Sequence, residues 1–120
     1  MISFFEIPAA DFSRAVAFYE GVLNVKLEIC DCGGQERMAF FPCAENEKYG
    51  GAVSQASGFR PGPDGTLIHL RVEDLDKALA EVEKHGGKIL LPPTQIQSPD
   101  GGRFALFLDS EGNRLGLHSE

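Results

Sequence analysis

Two segments of the chain place apolar residues at intervals of three and four, each directly after a short extended apolar stretch. They begin at Phe12 and at Leu75, and this spacing is typical of an amphipathic helix. The residue before each segment, Asp11 or Asp74, carries a short acceptor side chain at the position of a helix N-cap. Each stretch therefore predicts a strand that leads directly into a helix.

The two segments are also copies of one another. Residues 5–20 align with residues 68–83, and residues 37–41 and 50–54 align with 103–107 and 115–119. Turn-forming runs separate the aligned strands, at residues 31–34, 44–48, 99–102 and 109–113. The pattern predicts an α+β fold of two tandem βαβββ modules that form a curved mixed sheet around a cavity. Module one spans about residues 1–56 and module two about residues 64–120.

Length and charge narrow the class of protein. A chain of 120 residues with a formal charge of −7 fits one domain, here residues 1–120, and its lack of a basic cluster argues against nucleic acid and membrane partners. No apolar run approaches the roughly 20 residues of a membrane span, and the N-terminus lacks signal-peptide features, so we expect a cytoplasmic protein. The odd number of cysteines, Cys30, Cys32 and Cys43, favours reduced thiols over a disulfide framework.

Strand alternation divides each predicted strand into two faces. The apolar positions of the first strands, such as Phe5 and Ile7, should pack under the helices, and the opposite face should stay open. In the last strand, residues 115–119, we expect Leu115 and Leu117 to pack under the helices. In the matching strand of module one, residues 50–54, we expect Ala52 to pack and Gly51 and Val53 to face the open side. The polar side chains expected on the open face are Glu6, His69, Arg71, Arg114 and His118.

Several of these motifs resemble the vicinal oxygen chelate superfamily, which includes glyoxalase I, extradiol dioxygenases, fosfomycin-resistance thiol transferases and bleomycin-resistance proteins. They are the Asp-x-x-Arg-Ala-x-x-Phe-Tyr run at residues 11–19, the Gly-Gly-Lys run at 86–88 and the Asp-Ser-Glu-Gly-Asn run at 109–113. Residues 4–8 and 112–119 look more narrowly like a glyoxalase-related branch of unassigned function. The resemblance covers essentially the whole chain and implies a small-molecule ligand and a homodimer.

The resemblance also implies a divalent metal held by His and Glu side chains. The positions that correspond to those ligands are Phe4, Gly51, Leu67 and Gly116, and none has a side chain that can coordinate. The ordinary glyoxalase reaction needs a metal to polarise an oxygen, so this departure argues against it. Two residues further along each strand the side chains are Glu6, Val53, His69 and His118. One Glu with two His is the composition of a site for Fe, Mn or Zn.

These residues support two hypotheses about function. The first is a glyoxalase-related enzyme, of the lyase, isomerase or dioxygenase type, in which Glu6 is the general base and His69 is an acid or orienting group. Here Glu6, His69 and His118 either bind a divalent metal or form a metal-free polar cavity. Phe4 and Phe41 would stack on a flat substrate, and Arg71 and Arg114 would hold an anionic one. The second hypothesis is a metal-free binding protein of the bleomycin-resistance kind.

Overall fold

The chain forms two successive units of strand, helix and three strands. The computed structural model describes residues 2–30, 36–43 and 50–120, so Cys32 and the predicted turns at 31–34 and 44–48 lie outside the described residues. The elements are β1 (Phe5–Pro8), α1 (Phe12–Leu23), β2 (Glu28–Cys30), β3 (Arg37–Phe40), β4 (Gly51–Gln55), β5 (His69–Arg71), α2 (Leu75–Lys84), β6 (Lys88–Gln95), β7 (Arg103–Leu108) and β8 (Arg114–Ser119). This order confirms the predicted α+β class with two βαβββ modules.

Both helices begin at the predicted N-caps. The side chain of Asp11 accepts a hydrogen bond of 3.1 Å from the Arg14 amide, and Asp74 accepts one of the same length from the Lys77 amide. The first helix ends at Asn24, which adopts the left-handed conformation with φ of 53°. Each cap supplies an acceptor for amides that a helix leaves unpaired in its first turn.

Each module contributes one four-stranded sheet. The strand orders are β1-β4-β3-β2 and β5-β8-β7-β6, so the two sheets have equivalent topologies. The first strand of each module pairs in parallel with the last, and the remaining pairs are antiparallel. Glu6 lies beside Ala52 in the first sheet, and His69 lies beside Gly116 in the second.

One hydrophobic core joins the modules. Phe18 and Tyr19 of α1 are fully buried, and the Phe18 ring stacks on Phe107 of β7 with centroids 6.0 Å apart. Strand residues such as Ile7 and Leu117 face this core. Both helices therefore cover one face of the sheets, and the opposite face, called the open face below, is left uncovered by them.

The turn after β7 docks on the beginning of α1. The carboxylate of Glu111 accepts hydrogen bonds from the amides of Ala10 (2.9 Å) and Asp11 (2.7 Å), and from Nε of Arg14 (2.7 Å). The side-chain amide of Asn113 donates to the carbonyl of Pro8 at 2.8 Å. Because Pro8 ends β1, these bonds hold the first strand of module one against module two.

The predicted faces of β4 are wrong. Val53 is fully buried in the core opposite Ile7, and a Cβ on Gly51 would lie 2.3 Å from Cζ of Phe5, so both positions face the helices. The strand pairing places Ala52, not Gly51, at the position equivalent to Gly116. The aligned copies were one residue out of register, and a shift of one residue moves every side chain of a strand to the other face.

No helix within residues 2–30, 36–43 and 50–120 combines the length and the apolar character needed to cross a bilayer.

Candidate functional site

The open face of the second sheet carries a pocket of about 410 Å³. Strands β5, β7 and β8 contribute His69, Phe104 and His118, and Ile96, which follows β6, completes the lining. Phe104 and His118 are direct neighbours across β7 and β8. This volume lies within the range of about 300–1,000 Å³ that is typical of small-molecule sites.

Gly116 allows the imidazole of His69 to lie close to the sheet. The two residues are neighbours in the parallel pair of β5 and β8. A Cβ at Gly116 would lie 2.3 Å from Nδ1 of His69 and 2.5 Å from Cε1, far inside van der Waals contact. Any larger residue at position 116 would therefore displace the imidazole from its present place in the pocket.

The ring of His118 is oriented by a main-chain carbonyl. Its Nε2 lies 2.7 Å from the carbonyl oxygen of Gly101, and a carbonyl only accepts hydrogen bonds, so Nε2 carries the proton. In the neutral ring the other nitrogen, Nδ1, then has a free lone pair. His118 can therefore accept a hydrogen bond or a proton at Nδ1.

The ring of His69 lies next to both His118 and Phe104. Burial lowers the pKa of His69, and the positive charge that His118 can carry lowers it further. The ring also meets Phe104 at an angle of 65°, with centroids 5.8 Å apart. The neutral form of His69 is therefore favoured near pH 7, which makes the pocket aromatic and uncharged around this residue.

A second polar pair occupies the equivalent position on the first sheet. The hydroxyl of Ser54 donates a hydrogen bond of 2.8 Å to Oε1 of Glu6. Glu6 corresponds to His69 and Ser54 to His118 in the strand pairing of the two modules. Ser54 is not among the site residues predicted from the sequence, and an alignment of β4 with β8 shifted by one residue would have identified it. This pair borders a pocket of about 250 Å³ that also includes Met38 and Phe59.

The structure brings His69 and His118 together but places Glu6 in a different pocket. In the part of the chain that the structure describes, no group of three or more His, Cys, Asp and Glu side chains could hold a metal ion, so the predicted three-ligand site is not formed there. Correcting the register moves the family's β4 ligand position from Gly51 to Ala52, which has no donor atom either. The usual ligand positions therefore do not fit a metal.

The two predicted aromatic residues, Phe4 and Phe41, line one pocket of about 430 Å³ together with Phe40. Phe4 lies 6.0 Å from Phe40, measured between ring centroids, and Phe40 pairs with Ala52, which places it on the open face. Phe41 stacks on Phe5 at 5.8 Å and meets the edge of Tyr19 at 5.6 Å, so its ring packs against the core. Phe40 is thus a further open-face aromatic residue beside Phe4.

The two predicted anion-binding arginines lie outside the lining of the histidine pocket. Arg71 is exposed and lies 3.9 Å from the carboxylate of Glu120, a distance at which an exposed ion pair contributes little. Arg114 begins β8 and pairs with Leu108 of β7. Their roles in substrate binding stay predictions.

Comparison with families and relatives agrees with this architecture. Residues 1–117 match the family model described as Glyoxalase/Bleomycin resistance protein/Dioxygenase superfamily. A protein of Didymella fabae described as glyoxylase-like domain-containing is 30% identical over 115 residues, which are 93% of this chain and 88% of that protein.

Solved structures show the same fold at lower identity. A glyoxalase/bleomycin resistance protein from Albidiferax ferrireducens superposes with a TM-score of 0.70 at 14% identity, covering 100% of this chain and 98% of that one. The fosfomycin resistance protein FosX from Listeria monocytogenes superposes with a TM-score of 0.67 at 16% identity, covering 100% and 90%. At such identities the likeness extends to the fold alone.

Proposed function

The chain belongs to the glyoxalase/bleomycin resistance protein/dioxygenase superfamily, and from this premise we propose that it is a small-molecule enzyme that works without a metal at the usual family positions. Its reaction is a proton transfer of the isomerase or lyase type. The pocket of His69, Ile96, Phe104 and His118 holds the substrate. The observation that carries the proposal is the hydrogen bond between Nε2 of His118 and the carbonyl of Gly101, at 2.7 Å.

This hydrogen bond prepares His118 for acid–base chemistry. With the proton held on Nε2, the lone pair of Nδ1 can remove a proton from a carbon next to a substrate carbonyl, and the electron pair of that C–H bond moves to the carbonyl oxygen. The imidazolium that forms keeps its bond to Gly101, and a charged donor strengthens such a bond. The same nitrogen can then return the proton at another atom of the substrate.

His69 supports this step as a neutral hydrogen-bonding group. Its lowered pKa keeps a second positive charge away from His118 when His118 takes up the proton. Glu6 stays a predicted catalytic residue, and its carboxylate is positioned by Ser54. The assay described next tests the role of Glu6 together with the roles of the two histidines.

Solvent exchange tests the proposal without knowledge of the natural substrate. Protein treated with a chelator is incubated in D₂O with a panel of small hydroxyketones, and NMR follows the loss of the proton next to the carbonyl. We expect measurable exchange that falls by about 10²-fold or more in His118→Gln, and by less in His69→Gln. His85→Gln is the matched control, because His85 is the C-cap of α2 and does not line the pocket.

Three outcomes of this assay are decisive. Exchange that His118→Gln leaves unchanged, or that is absent with every compound, overturns the proposal. Exchange that appears only after a divalent metal is added also overturns it. In the same assay Glu6→Gln tests Glu6, since full exchange in this variant excludes a catalytic role for that carboxylate.

A second candidate function is a metal-free binding protein, as in bleomycin resistance. The observation that favours it is the lack of donor atoms at Phe4, Ala52, Leu67 and Gly116, which a binder that only sequesters its ligand does not need. A ligand recovered unchanged after long incubation, with binding weakened in His118→Gln, would support this function. Turnover of the same ligand would exclude it.

A further inference from the structure

The open faces of the two sheets carry charges of opposite sign. On the first sheet the strand pairing places Glu6 and Glu28 in one row that crosses all four strands. The strands of the second sheet are described along their whole length and contain no Asp or Glu. Their open face carries three basic side chains, Arg71, Lys88 and Arg114. An anionic group is therefore favoured on the second sheet, which also carries the two histidines, and is opposed on the first.

Arg71 lies directly beside His118 on this face. The two residues are partners in the parallel pair of β5 and β8, whose strands lie about 4.8 Å apart. His69 precedes Arg71 by two residues on the same strand, so it shares that face. Because β5 is at the edge of the sheet and the side chain of Arg71 is 77% exposed, its guanidinium is free to reach an anion at the histidine pocket.

The ion pair that Arg71 forms is weak enough for an anionic ligand to replace it. Its guanidinium lies 3.9 Å from the carboxylate of Glu120, and both side chains are exposed, so the pair contributes little. Arg71 also borders a groove beside the two helices, together with Glu73 and Asp74. The carboxylates of Glu73 and Asp74 repel an anion there. The sheet face is consequently the more favourable side of Arg71 for a ligand of negative charge.

One row of the second sheet presents three different chemical groups in order. Arg71 pairs with His118 across β5 and β8, and His118 pairs with Phe104 across β8 and β7. With neighbouring strands about 4.8 Å apart, a cation, an imidazole and an aromatic ring follow one another over about 10 Å. Ile96 extends the apolar end of the row, since it lines the same pocket as Phe104. A ligand along this row meets a positive charge, then the proposed base and then an apolar wall.

The proposed proton transfer determines what the ligand carries at each point of the row. A carboxylate matches a guanidinium, because the two groups form a pair of parallel hydrogen bonds. The carbon that loses its proton then lies at His118, and the substituent beyond it is apolar. A carbonyl between the carboxylate and this carbon places the oxygen that becomes negative near Arg71, where its charge is stabilised. On the other side of this carbon the same oxygen would face apolar side chains without a compensating charge.

We propose that the substrate is a 2-oxo acid with an apolar group on its third carbon. Its carboxylate pairs with Arg71, its third carbon lies at His118, and its apolar group packs on Phe104 and Ile96. His118 takes a proton from the third carbon, the electron pair of that C–H bond forms a double bond to the second carbon, and the carbonyl electron pair moves to oxygen. Return of the proton to oxygen gives the enol, so no oxidant or second reactant is needed. This inference rests on the proposed function, because it names the substrate class of the same site.

Three probes separate the parts of this assignment. The complete probe is 4-methyl-2-oxopentanoate, whereas 4-methyl-2-pentanone has a methyl group in place of the carboxylate and pyruvate lacks the apolar group. Titration followed by NMR of the protein gives the dissociation constants. Loss of the proton signal next to the carbonyl in D₂O, divided by the uncatalysed rate, gives the exchange. We expect 4-methyl-2-oxopentanoate to bind about tenfold more tightly than either of the other two.

Variants locate the two preferences in the row. In Arg71→Gln the affinities for 4-methyl-2-oxopentanoate and 4-methyl-2-pentanone should become equal within about threefold. Lys88→Gln is the matched control, because it removes one positive charge from the same face but pairs with Leu108, outside this row, and it should retain the preference. Phe104→Ala should remove the preference over pyruvate. Ile96→Ala provides a second variant of the apolar wall if Phe104→Ala does not fold.

The proposal is overturned if the wild-type protein binds 4-methyl-2-pentanone or pyruvate as tightly as 4-methyl-2-oxopentanoate. It is also overturned if Arg71→Gln keeps the preference over the ketone, or if Lys88→Gln loses that preference equally. The dissociation constants are independent of turnover. A preference for the oxo acid without any solvent exchange would reject the enzyme and keep the ligand class. Exchange of hydroxyketones that depends on His118, without a preference for the oxo acid, would keep the enzyme and reject the ligand class.

Discussion

The hydroxyl of Tyr19 donates a hydrogen bond of 2.6 Å to Oδ2 of Asp109, and both residues are buried. Tyr19 lies on α1 of module one, and Asp109 begins the turn between β7 and β8 of module two. Asp109 also accepts bonds from the amides of Glu111 and Asn113, so its carboxylate has partners on both sides. Burial, followed by the negative charge of Asp109, raises the pKa of Tyr19 well above its ordinary value. This bond joins the two modules inside the core.

Removing this hydroxyl should destabilise the protein. Tyr19→Phe leaves the aromatic packing with Phe18 and Phe41 but takes one donor from a buried carboxylate. A loss of about 1–3 kcal/mol in the free energy of unfolding is expected, measured by urea denaturation. Solvent exchange in the assay proposed above should change little, because Tyr19 does not line the pocket of His69 and His118. A variant as stable as the wild type would show that the bond does not stabilise the fold.

Glu111 should make stability depend on pH in the acid range. Its side chain is fully shielded from solvent. Burial opposes ionisation, but hydrogen bonds from Arg14, from the amide of Asp11 and from Ser110, together with the charge of Arg14, lower the pKa of Glu111 below its ordinary value of 4.5. Because the folded state holds the ionised form more strongly, the stabilisation is complete above about pH 4.5 and is lost as the pH falls through the lowered folded-state pKa.

Glu111→Gln is the variant that tests this dependence. It should lower the free energy of unfolding by about 1–3 kcal/mol near pH 7, and the difference from the wild type should shrink as the pH falls below about 4.5. Thermal melts between about pH 3 and pH 7 provide the measurement. Glu83→Gln, at an exposed site on α2, is the control. If the stability difference between the wild type and Glu111→Gln stays constant across this pH range, the charge of Glu111 does not cause the dependence.

His69 should make stability depend on pH nearer neutrality, in the same direction as Glu111. Burial and the nearby His118 lower the pKa of His69, so the unfolded chain binds its proton more readily. As the pH falls from its ordinary pKa of about 6.5 towards the lowered folded-state value, the free energy of unfolding should decrease and then level off. His69→Gln should remove this part of the profile, and His85→Gln should retain it. Identical profiles for His69→Gln and the wild type would contradict the prediction.

Gly116 should be required for the pocket rather than for folding. Gly116→Ala places a methyl group where the imidazole of His69 lies, so His69 has to move. We expect solvent exchange that is at least about tenfold slower, with a melting temperature close to that of the wild type. Gly62→Ala is the matched control, because a Cβ at Gly62 meets no atom within 4 Å. Unchanged exchange in Gly116→Ala would show that the pocket does not depend on this close approach of His69 to Gly116.

Local patterns in the sequence determined the class of fold. The spacing of apolar residues after Asp11 and Asp74 predicted both helices and their first residues, because an N-cap and an amphipathic face are properties of consecutive residues. The internal repeat predicted two equivalent modules. The alternation along β1 placed Ile7 in the core and Glu6 on the opposite face, as the structure confirms.

The tertiary structure alone decided which side chains meet. The register of β4 was not determined by its own residues, since Gly51, Ala52 and Val53 are all compatible with either face, and pairing with β1 placed Val53 in the core and Ser54 beside Glu6. The separation of Glu6 from His69 and His118 depends on how two sheets pack around shared helices. Such distances arise from contacts between residues far apart in the chain. Alternation along a strand predicts the face of each side chain but not its distance from side chains on other strands. The sequence therefore determined the elements and the β1 face, and packing determined the site.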